Sequence, residues 1–397
     1  MTTQTTESWK KRLDDEYEQI VQWRRHMHAN PELSFQETNT ARFIADTLRS
    51  FGYEVRTGVG GNGILADLAG SKPGPRIALR ADFDALPIDE ENDVPYKSQN
   101  PGVMHACGHD GHTSTLLGVA KVLAGRQDEL AGSVRFIFQH AEEKLPGGAI
   151  AMIEAGALDG VDEVYGAHLA SYMPLGKLSV SSGPSMAAVD SFAITVQGKG
   201  GHGAKPHQTV DAIVVGSQLV TSLQHIVARH VNPLASAVVT VGVFRAGSAF
   251  NVIADKAEIE GTVRSFDPEI RKQLERDIRD MVHGITLSEH ATYKLDYVNG
   301  YPALVNPPQQ AEEVRDIFVR EFGEESLYGL DASMGAEDFA YYLQHRPGNF
   351  FNVGSQNDSE DTAFPHHHPR FDIDERALRI AAQAFLAIIA DKLLGEA

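Results

Sequence analysis

The single cysteine of the chain, Cys107, lies in the segment HACGHDGHTS, between histidines and close to an aspartate. Thiolate, imidazole and carboxylate groups are the side chains that bind zinc and neighbouring divalent metals in proteins. A buried cysteine without such context is more often a small apolar side chain. A metal site therefore requires that other groups of the same kinds lie close to Cys107 in the fold.

Carboxylate and imidazole side chains follow three short apolar segments that are typical of buried strands. RIALRAD ends at Asp82 and leads to Asp84, SVRFIFQ leads to Glu142 and Glu143, and EVYGA precedes His168. Helical patterns separate these strands, so we predict an α/β fold with a doubly wound, mostly parallel sheet. Sites in such sheets collect beyond the carboxyl ends of the strands, where these side chains would lie.

Three consecutive histidines, His366 to His368, follow in the segment FPHHHPRFD. A metal site accounts for all these groups together. The alternative, that none of them binds a metal ion, needs a separate reason for each group. On that alternative, His105 and His112 support a loop or cap a helix, and Glu142 and Glu143 form a solvated pair. Adjacent carboxylates at the end of an apolar strand are costly unless a cation neutralises them.

The pattern along the chain predicts two domains, as the length of 397 residues favours. A helix is expected from Trp9 to about His28, and Ser34 and Glu37 form a capping box for a second helix that stops at Gly52. After residue 183 the order becomes β-α-β-β-α-β, which is typical of a compact ferredoxin-like α+β unit. We therefore predict an inserted domain over residues 184–299, within a discontinuous catalytic domain formed by residues 1–183 and 300–397.

The formal net charge of −19 disfavours nucleic acid and anionic membrane surfaces as partners. A lone cysteine forms no internal disulfide, and the N-terminal segment has neither the apolar core nor the cleavage site of a secretory signal. The C-terminal segment ALRIAAQAFLAIIADKLLGEA is interrupted by polar residues at helical spacing and reads as an amphipathic packing helix. We expect a cytoplasmic protein.

Eight segments of the chain, in order from about His26 to Glu375, resemble the aminoacylase and carboxypeptidase metallohydrolase family: HANPELSFQE, RADFDALPI, HACGHDGHT, QHAEE, GKGGHGAKPH, NVIADKAEIEGTVRSF, MGAEDFAYY and HHPRFDIDE. The similarity is strongest to the branch of hippurate hydrolases, N-acyl-amino-acid amidohydrolases and indole-acetyl-amino-acid hydrolases. It implies a catalytic domain that holds two divalent metal ions and an inserted lid or dimerisation domain. It also implies a homodimer, or a tetramer, assembled through that domain.

Position by position, the resemblance implies that Glu142 is the general base. The metal ligands that it implies are Cys107, His109, Glu143, His168 and His367. His367 stands two residues before Pro369, which is the family's spacing for the last ligand. The wider family usually has histidine and aspartate where this chain has Asp82 and Cys107. A thiolate favours zinc, cobalt or nickel over manganese by its softness, so the identity of the metal is left open among these four.

Three residues of the inserted domain are implied by the same resemblance to act on the substrate. His202 matches a residue that reaches the active site of the partner subunit and steadies the tetrahedral oxyanion. Asn251 and Arg264 match positions that hold the free carboxylate of the substrate. Without the resemblance, His202 reads as a turn residue and Arg264 as a surface charge on a strand.

The predicted function is the metal-dependent hydrolysis of N-acyl-L-amino acids, either hippurate-like or with acetyl or aryl acyl groups. Alternatives within the same chemistry are a metallo-carboxypeptidase or dipeptidase and an N-acetyl-diaminopimelate deacetylase. A thiol hydrolase would use Cys107 as nucleophile and His109 or His168 as base, but it leaves Glu142 and Glu143 without a role. An inactive protein that binds metal or acyl-amino acids is opposed by the complete ligand set with its general base.

Overall fold

The computed structural model describes residues 2–357 and 364–394. The α-helices of these residues are α1 (Thr2–Ala29), α2 (Thr38–Ser50), α3 (His109–Leu123), α4 (Ala149–Glu154), α5 (Ala212–His225), α6 (Pro268–Ser288), α7 (Pro308–Phe322), α8 (Phe339–His345) and α9 (Arg376–Leu393). The strands are β1 (Val55–Val59), β2 (Gly63–Ala69), β3 (Lys72–Asp82), β4 (Ala131–Gln139), β5 (Glu163–Pro174), β6 (Leu178–Ser179), β7 (Gly183–Met186), β8 (Ala188–Gln197), β9 (Gly201–His202), β10 (Ala237–Ala246), β11 (Val252–Ile253), β12 (Lys256–Ser265), β13 (Thr292–Asn299), β14 (Leu304–Asn306) and β15 (Gly348–Gln356).

The chain divides into two compact units. The first comprises Met1–Gly183, Val305–Asp331 and Asp338–Ala397, and the second comprises Pro184–Leu304 and Ala332–Glu337. The second unit therefore extends five residues beyond the predicted end at residue 299 and includes a short later segment.

The first unit is built on a sheet with the strand order β1-β2-β4-β3-β5-β15-β6. The four central strands, from β4 to β15, are parallel, whereas β1, β2 and β6 pair antiparallel at the two edges. The predicted α/β fold with a mostly parallel sheet is thus confirmed. Strands buried on both faces read as continuous apolar runs, which is why β3, β4 and β5 could be located from the sequence.

Helix α3 occupies the centre of the first unit, where it contacts α1, α9 and β3. All of its residues except Lys121 are buried, among them Leu116, Leu117 and Val119. The helix begins directly after Gly108, whose φ of +89° is a conformation that glycine adopts without a side-chain clash. The core of this unit therefore fixes the point at which the HACGHDGHTS segment turns into a helix.

The predicted capping box at Ser34 and Glu37 is wrong. Glu37 directly precedes α2, but neither side chain caps the helix. The hydroxyl of Ser34 donates to Oδ2 of Asp84 over 2.7 Å, and Oε1 of Glu37 accepts from the amide nitrogen of Ala141 over 2.9 Å. Both side chains instead support loops that follow the strands of the central sheet, a role for which the local sequence pattern gives no signal.

The second unit contains a four-stranded antiparallel sheet with the order β10-β12-β8-β13. Helix α5 follows β8 and helix α6 follows β12, which gives the β-α-β-β-α-β succession of a ferredoxin-like unit. Asp211 and Asp267 cap the two helices by accepting hydrogen bonds from amides of their first turns. A separate apolar core lies between the helices and the sheet.

Among the residues described, none of the helices combines the length and the apolar character that crossing a lipid bilayer requires.

Candidate metal centre

The carboxyl ends of β3, β4 and β5 bring ligand-type side chains to one edge of the central sheet. Asp82 ends β3 and pairs with Gln139 at the end of β4, three residues before Glu142. His168 lies on β5, and Cys107 and His109 stand at the start of α3. The site thus forms where the parallel strands end, as expected for a doubly wound sheet.

The structure brings the five predicted ligands together. Sγ of Cys107 lies 3.5 Å from Nε2 of His168. Oε1 of Glu143 lies 3.2 Å from Nε2 of His367 and 3.8 Å from Nε2 of His109. The donor atoms of Cys107, His109 and Glu143 all lie within 4.8 Å of one another, so they join the two pairs into one cluster.

Two of the histidines are held with Nε2 directed at this cluster. Nδ1 of His109 lies 3.0 Å from the carbonyl oxygen of Asp84, and Nδ1 of His168 lies 3.0 Å from that of Leu169. A carbonyl oxygen only accepts, so Nδ1 of each ring carries a proton. The Nε2 lone pair of His168 is free for a metal ion, because burial holds the pKa of this ring well below its usual value. Burial also lowers the pKa of His109, but Asp82, Asp84 and Glu143 outweigh it and raise that pKa to about 10, so a bound metal ion would take the place of the proton on Nε2. The outer nitrogen is anchored in both rings, as in many histidine-metal sites.

The donor set fits a divalent metal ion, because Nε2 of His109 and Oε1 of Glu143 are both buried without a hydrogen-bond partner among the described residues. The 3.2 Å approach of His367 to Glu143 lacks hydrogen-bond geometry. Burial first, and then the charges of Glu143 and Glu142, raise the pKa of the Cys107 thiol well above its usual value. Buried polar atoms and crowded negative charge are costly alone, and a cation bound between them would remove both costs.

Asp82, which departs from the wider family, is committed to other partners. Its Oδ2 accepts from Nη1 of Arg80 over 2.6 Å, and its Oδ1 accepts from Nδ1 of His112 over 2.6 Å. Burial alone would raise the pKa of Asp82, but Arg80, His109 and His112 outweigh it and hold that pKa well below the usual value. His112 also accepts from the amide of Leu169 over 2.9 Å, so it supports the site, as the alternative interpretation of the sequence proposed for it.

Asp84 contacts two of the predicted ligands, although the sequence assigned it no role. Its Oδ1 lies 3.2 Å from Nδ1 of His109, while its Oδ2 accepts from the amide of Glu143 over 2.9 Å and from Ser34. One carboxylate therefore positions two of the predicted ligands. The Asp-x-Asp pattern at the end of β3 was the available signal.

The side chains of the three consecutive histidines lie in three different environments. His367, with a φ of +65°, lies beside Glu143 and remains about half exposed. His366 is instead directed at the other side of the cluster, where its Nδ1 lies 3.6 Å from Sγ of Cys107. Nδ1 of His368 accepts from the amide of Arg370, and its ring stacks on Phe364. The position of His366 was not predicted.

Glu142 is buried and immediately precedes the predicted ligand Glu143. The residue before it, Ala141, has a φ of +53°, which turns the chain sharply after β4. The amide of Ala141 is held by the buried carboxyl group of Glu37. The two adjacent glutamates are thus carried by a fixed turn rather than by a solvated loop, which argues against the interpretation of Glu142 and Glu143 as a solvated pair.

The remaining predicted residues belong to the second unit. His202, on β9, is exposed, and its Nδ1 accepts from the amide of Ala204 over 3.0 Å. Asn251 is close to it, because Val252 is the strand partner of His202. Arg264 lies on β12 and donates to the hydroxyl of Thr262 and, over 3.2 Å, to the carbonyl of Val263. No hydrogen bond between described side chains joins Arg264 to His202 or Asn251.

Comparison with known proteins identifies relatives along most of the chain. Residues 78–391 match Peptidase family M20/M25/M40. An N-acyl-L-amino acid amidohydrolase of Geobacillus stearothermophilus is 50% identical over 302 residues, which are 76% of this chain and 82% of that protein. Thermostable carboxypeptidase 2 of Saccharolobus solfataricus is 41% identical over 374 residues, which are 93% of this chain and 94% of that protein.

A solved structure shares both the fold and the sequence pattern. The YXEP protein of Bacillus subtilis, described as a dinuclear metal binding peptidase from the M20 family, superposes with a TM-score of 0.81. The two chains are 36% identical, and the match covers 95% of this chain and 98% of that one.

Proposed function

The chain belongs to peptidase family M20/M25/M40 and is a hydrolase of amide bonds, and we propose that its substrates are N-acyl-L-amino acids. The products are a carboxylic acid and a free amino acid. The observation that carries this proposal is the convergence of five ligand-type side chains, among which Nε2 of His109 and Oε1 of Glu143 are buried without a hydrogen-bond partner among the described residues.

We propose that two divalent metal ions bind to Cys107, His109, Glu143, His168 and His367. When bound, such ions lower the pKa of a water molecule and polarise the substrate carbonyl. Zinc, cobalt and nickel suit the thiolate better than manganese does. Because a thiolate ligand must remain reduced, a cytoplasmic location suits this site.

Glu142 is proposed as the general base. Its carboxylate takes the proton of the attacking water and then returns it to the nitrogen of the leaving amino acid, which is the role of a general acid-base residue. Its burial directly beside the predicted ligand Glu143 supports this assignment, because a proton carrier must stand close to the reacting atoms. Glu143 is excluded from the same role if it binds a metal ion.

His202 is proposed to donate Nε2–H to the oxyanion of the tetrahedral intermediate. The hydrogen bond from the amide of Ala204 to Nδ1 supports this role, because a neutral ring that accepts at Nδ1 carries its proton on Nε2. In a homodimer formed through the second unit, His202 would act on the active site of the partner. Asn251 and Arg264 would hold the carboxylate of the amino acid, for which a guanidinium group is well suited.

Two other activities are weighed against this proposal. The carboxypeptidase relative makes hydrolysis of a C-terminal peptide bond the second candidate, since a dipeptide is itself an N-acyl amino acid. A thiol hydrolase is disfavoured, because burial and nearby carboxylates raise the pKa of Cys107 and so suppress the thiolate that nucleophilic attack requires.

A hydrolysis panel tests the function. Benzoyl, acetyl and indole-acetyl amino acids and unblocked dipeptides are offered to the purified protein, to the chelated protein, and to the chelated protein with zinc, cobalt, nickel or manganese restored. We expect hydrolysis that chelation abolishes and metal restores, and better turnover of acyl amino acids than of dipeptides. Full activity in protein shown to be metal-free by elemental analysis would refute the mechanism.

A further inference from the structure

We infer that His366 is a positioning residue that donates Nδ1–H to the sulfur of Cys107, rather than a metal ligand itself. The inference rests on the proposed metal centre, since it concerns the state of the thiolate within it. Nδ1 of His366 lies 3.6 Å from Sγ of Cys107, an ordinary distance for a hydrogen bond to sulfur.

The hydrogen bonding of the other ring nitrogen decides between donor and ligand. The amide of Ser171 donates to Nε2 of His366 over 3.2 Å. A main-chain amide only donates, so Nε2 must accept and cannot carry the ring proton. The proton of the neutral imidazole is then on Nδ1, which faces the sulfur. A nitrogen that carries a proton has no lone pair for a metal, so the same contact excludes coordination through Nδ1.

Neighbouring rings hold His366 in this orientation. The ring centroids of His168 and Phe371 lie 5.0 Å and 4.9 Å from that of His366, and the centroid of Tyr172 lies 5.7 Å away. Together with the amide of Ser171, these contacts leave the ring little freedom to turn Nδ1 away from Cys107. The hydrogen bond is therefore a built feature of the site.

The surroundings of Cys107 explain what such a donor would do. Glu142, Glu143 and Asp82 all place negative charge near the sulfur. A hydrogen bond to a thiolate draws electron density from the sulfur and offsets part of this repulsion. The thiolate then donates less strongly to a bound metal ion, which leaves the ion a stronger Lewis acid. His366 would thus adjust the metal through the cysteine, while His367 binds it directly.

Cobalt(II) provides a direct probe, because a thiolate bound to cobalt gives a charge-transfer absorption band whose energy follows the electron density on sulfur. The experiment replaces the native metal with cobalt in the full-length protein and in two variants. H366F keeps a ring but removes the donor. H366N places an amide N–H close to the position of Nδ1 and therefore retains a hydrogen-bond donor to the sulfur.

We expect both variants to bind the same amount of cobalt as the parent protein. In H366F the thiolate band should move to longer wavelength, and in H366N it should return toward the parent position. An unchanged band in H366F would overturn the hydrogen bond, and loss of a cobalt ion would show instead that His366 is a ligand. If H366F does not fold, H366L, which also lacks the donor, takes its place, and an H366N band displaced as far as that of H366L would overturn the inference.

The parent protein separates this inference from the proposed function. A parent that binds cobalt without a thiolate band would remove Cys107 from the metal centre and refute the wider proposal. A parent with the band, combined with an unshifted H366F variant, would refute only the role of His366.

Discussion

Nε2 of His367 and Oε1 of Glu143 lie 3.2 Å apart, although one residue follows the last strand of the sheet and the other follows β4. The contact lacks hydrogen-bond geometry, and Oε1 of Glu143 is buried without a partner among the described residues. A nitrogen and a carboxylate oxygen at this distance could both bind one metal ion, which is the role proposed for them. This relationship distinguishes Glu143 from its neighbour Glu142 and leads to the first prediction.

The E142Q and E143Q variants should fail in different ways. If Glu142 carries the proton, E142Q should bind both metal ions and lose at least ~10² to 10⁴ in kcat, the contribution typical of a general acid-base residue. E143Q should lose metal as well as activity. Elemental analysis and kinetics on the same samples give both quantities. Equal metal content together with equal residual activity would show that the two roles are wrongly assigned.

Alanine at His367 should lower metal occupancy, whereas alanine at His368 should preserve it. His367 lies beside Glu143, but Nδ1 of His368 is occupied by the amide of Arg370 and its ring stacks on Phe364. H368A is thus a matched control, because it removes the neighbouring histidine of the same segment. Metal content measured after dialysis against a weak chelator checks the difference. A larger loss in H368A would mean that the family spacing is shifted in this segment.

Asp84 should influence metal binding without touching the metal. In D84N the side-chain NH₂ group would face either Nδ1 of His109 or the amide nitrogen of Glu143. Both of these nitrogens donate a proton, so two donors would face each other and one hydrogen bond would be lost. Loss of such an outer hydrogen bond typically costs 10-fold to 100-fold in metal affinity. Competition with a chromophoric chelator measures it. S34A, which removes only one donor to the same carboxylate, is expected to weaken binding less, and the reverse order would contradict this role.

The stability of the protein should depend on the buried residue His28. Its Nδ1 lies 2.8 Å from Oδ2 of Asp110 and its Nε2 lies 3.2 Å from Oε1 of Glu90. Burial and the charge of Arg24 lower its pKa, but the two carboxylates outweigh them and raise the pKa to about 9. An imidazolium favoured by folding stabilises the protein fully below the unfolded pKa of about 6.5, and this contribution is lost as the pH rises through about 9.

The metal-loaded protein should therefore lose on the order of 2–3 kcal/mol of stability between pH 6.5 and 9.5, as estimated from the linkage between pKa and folding. H28Q should be less stable at pH 6.5 and should show a flatter dependence of Tm on pH over the same interval. H230Q is the control, because His230 contacts Asp277 at the surface, where screening reduces the effect. Parallel curves for H28Q and the parent protein would refute the charged state of His28.

The strands of the catalytic sheet could be predicted from the sequence because β3, β4 and β5 are buried on both faces and therefore read as apolar runs. Ligand-type residues directly after such runs indicate a site, and this reasoning located Glu143 and His168 without any knowledge of the fold. Strands β1 and β2, which pair antiparallel beyond β4, were missed. Strand β1 is mostly exposed and carries no apolar run, and the apolar run of β2 is interrupted by Asp67.

Residues that act through other residues could not be predicted, because their partners are distant in the sequence. Ser34 and Glu37 have the spacing of a capping box, yet they bond to Asp84 and Ala141. His366 lies near Cys107 and His367 lies near Glu143, and the chain has the unusual φ of +65° at His367. A positive φ of this kind cannot be predicted from the fact that the residue is a histidine.

The last prediction concerns completion of the active site by a second subunit. E142Q and H202A should each be nearly inactive alone, because a donor to the oxyanion contributes roughly 3 to 4 kcal/mol to the transition state. If His202 acts in the partner's site, a mixed dimer contains one site with both residues intact, by the reciprocity of an isologous dimer. Mixing the two variants under conditions of subunit exchange should then restore up to about half the activity of a native dimer in each mixed dimer. A mixture of E142Q with E142Q/H202A is the control and should stay inactive. Absence of recovery, with exchange demonstrated by differently tagged subunits, would place His202 in its own subunit's site or outside catalysis.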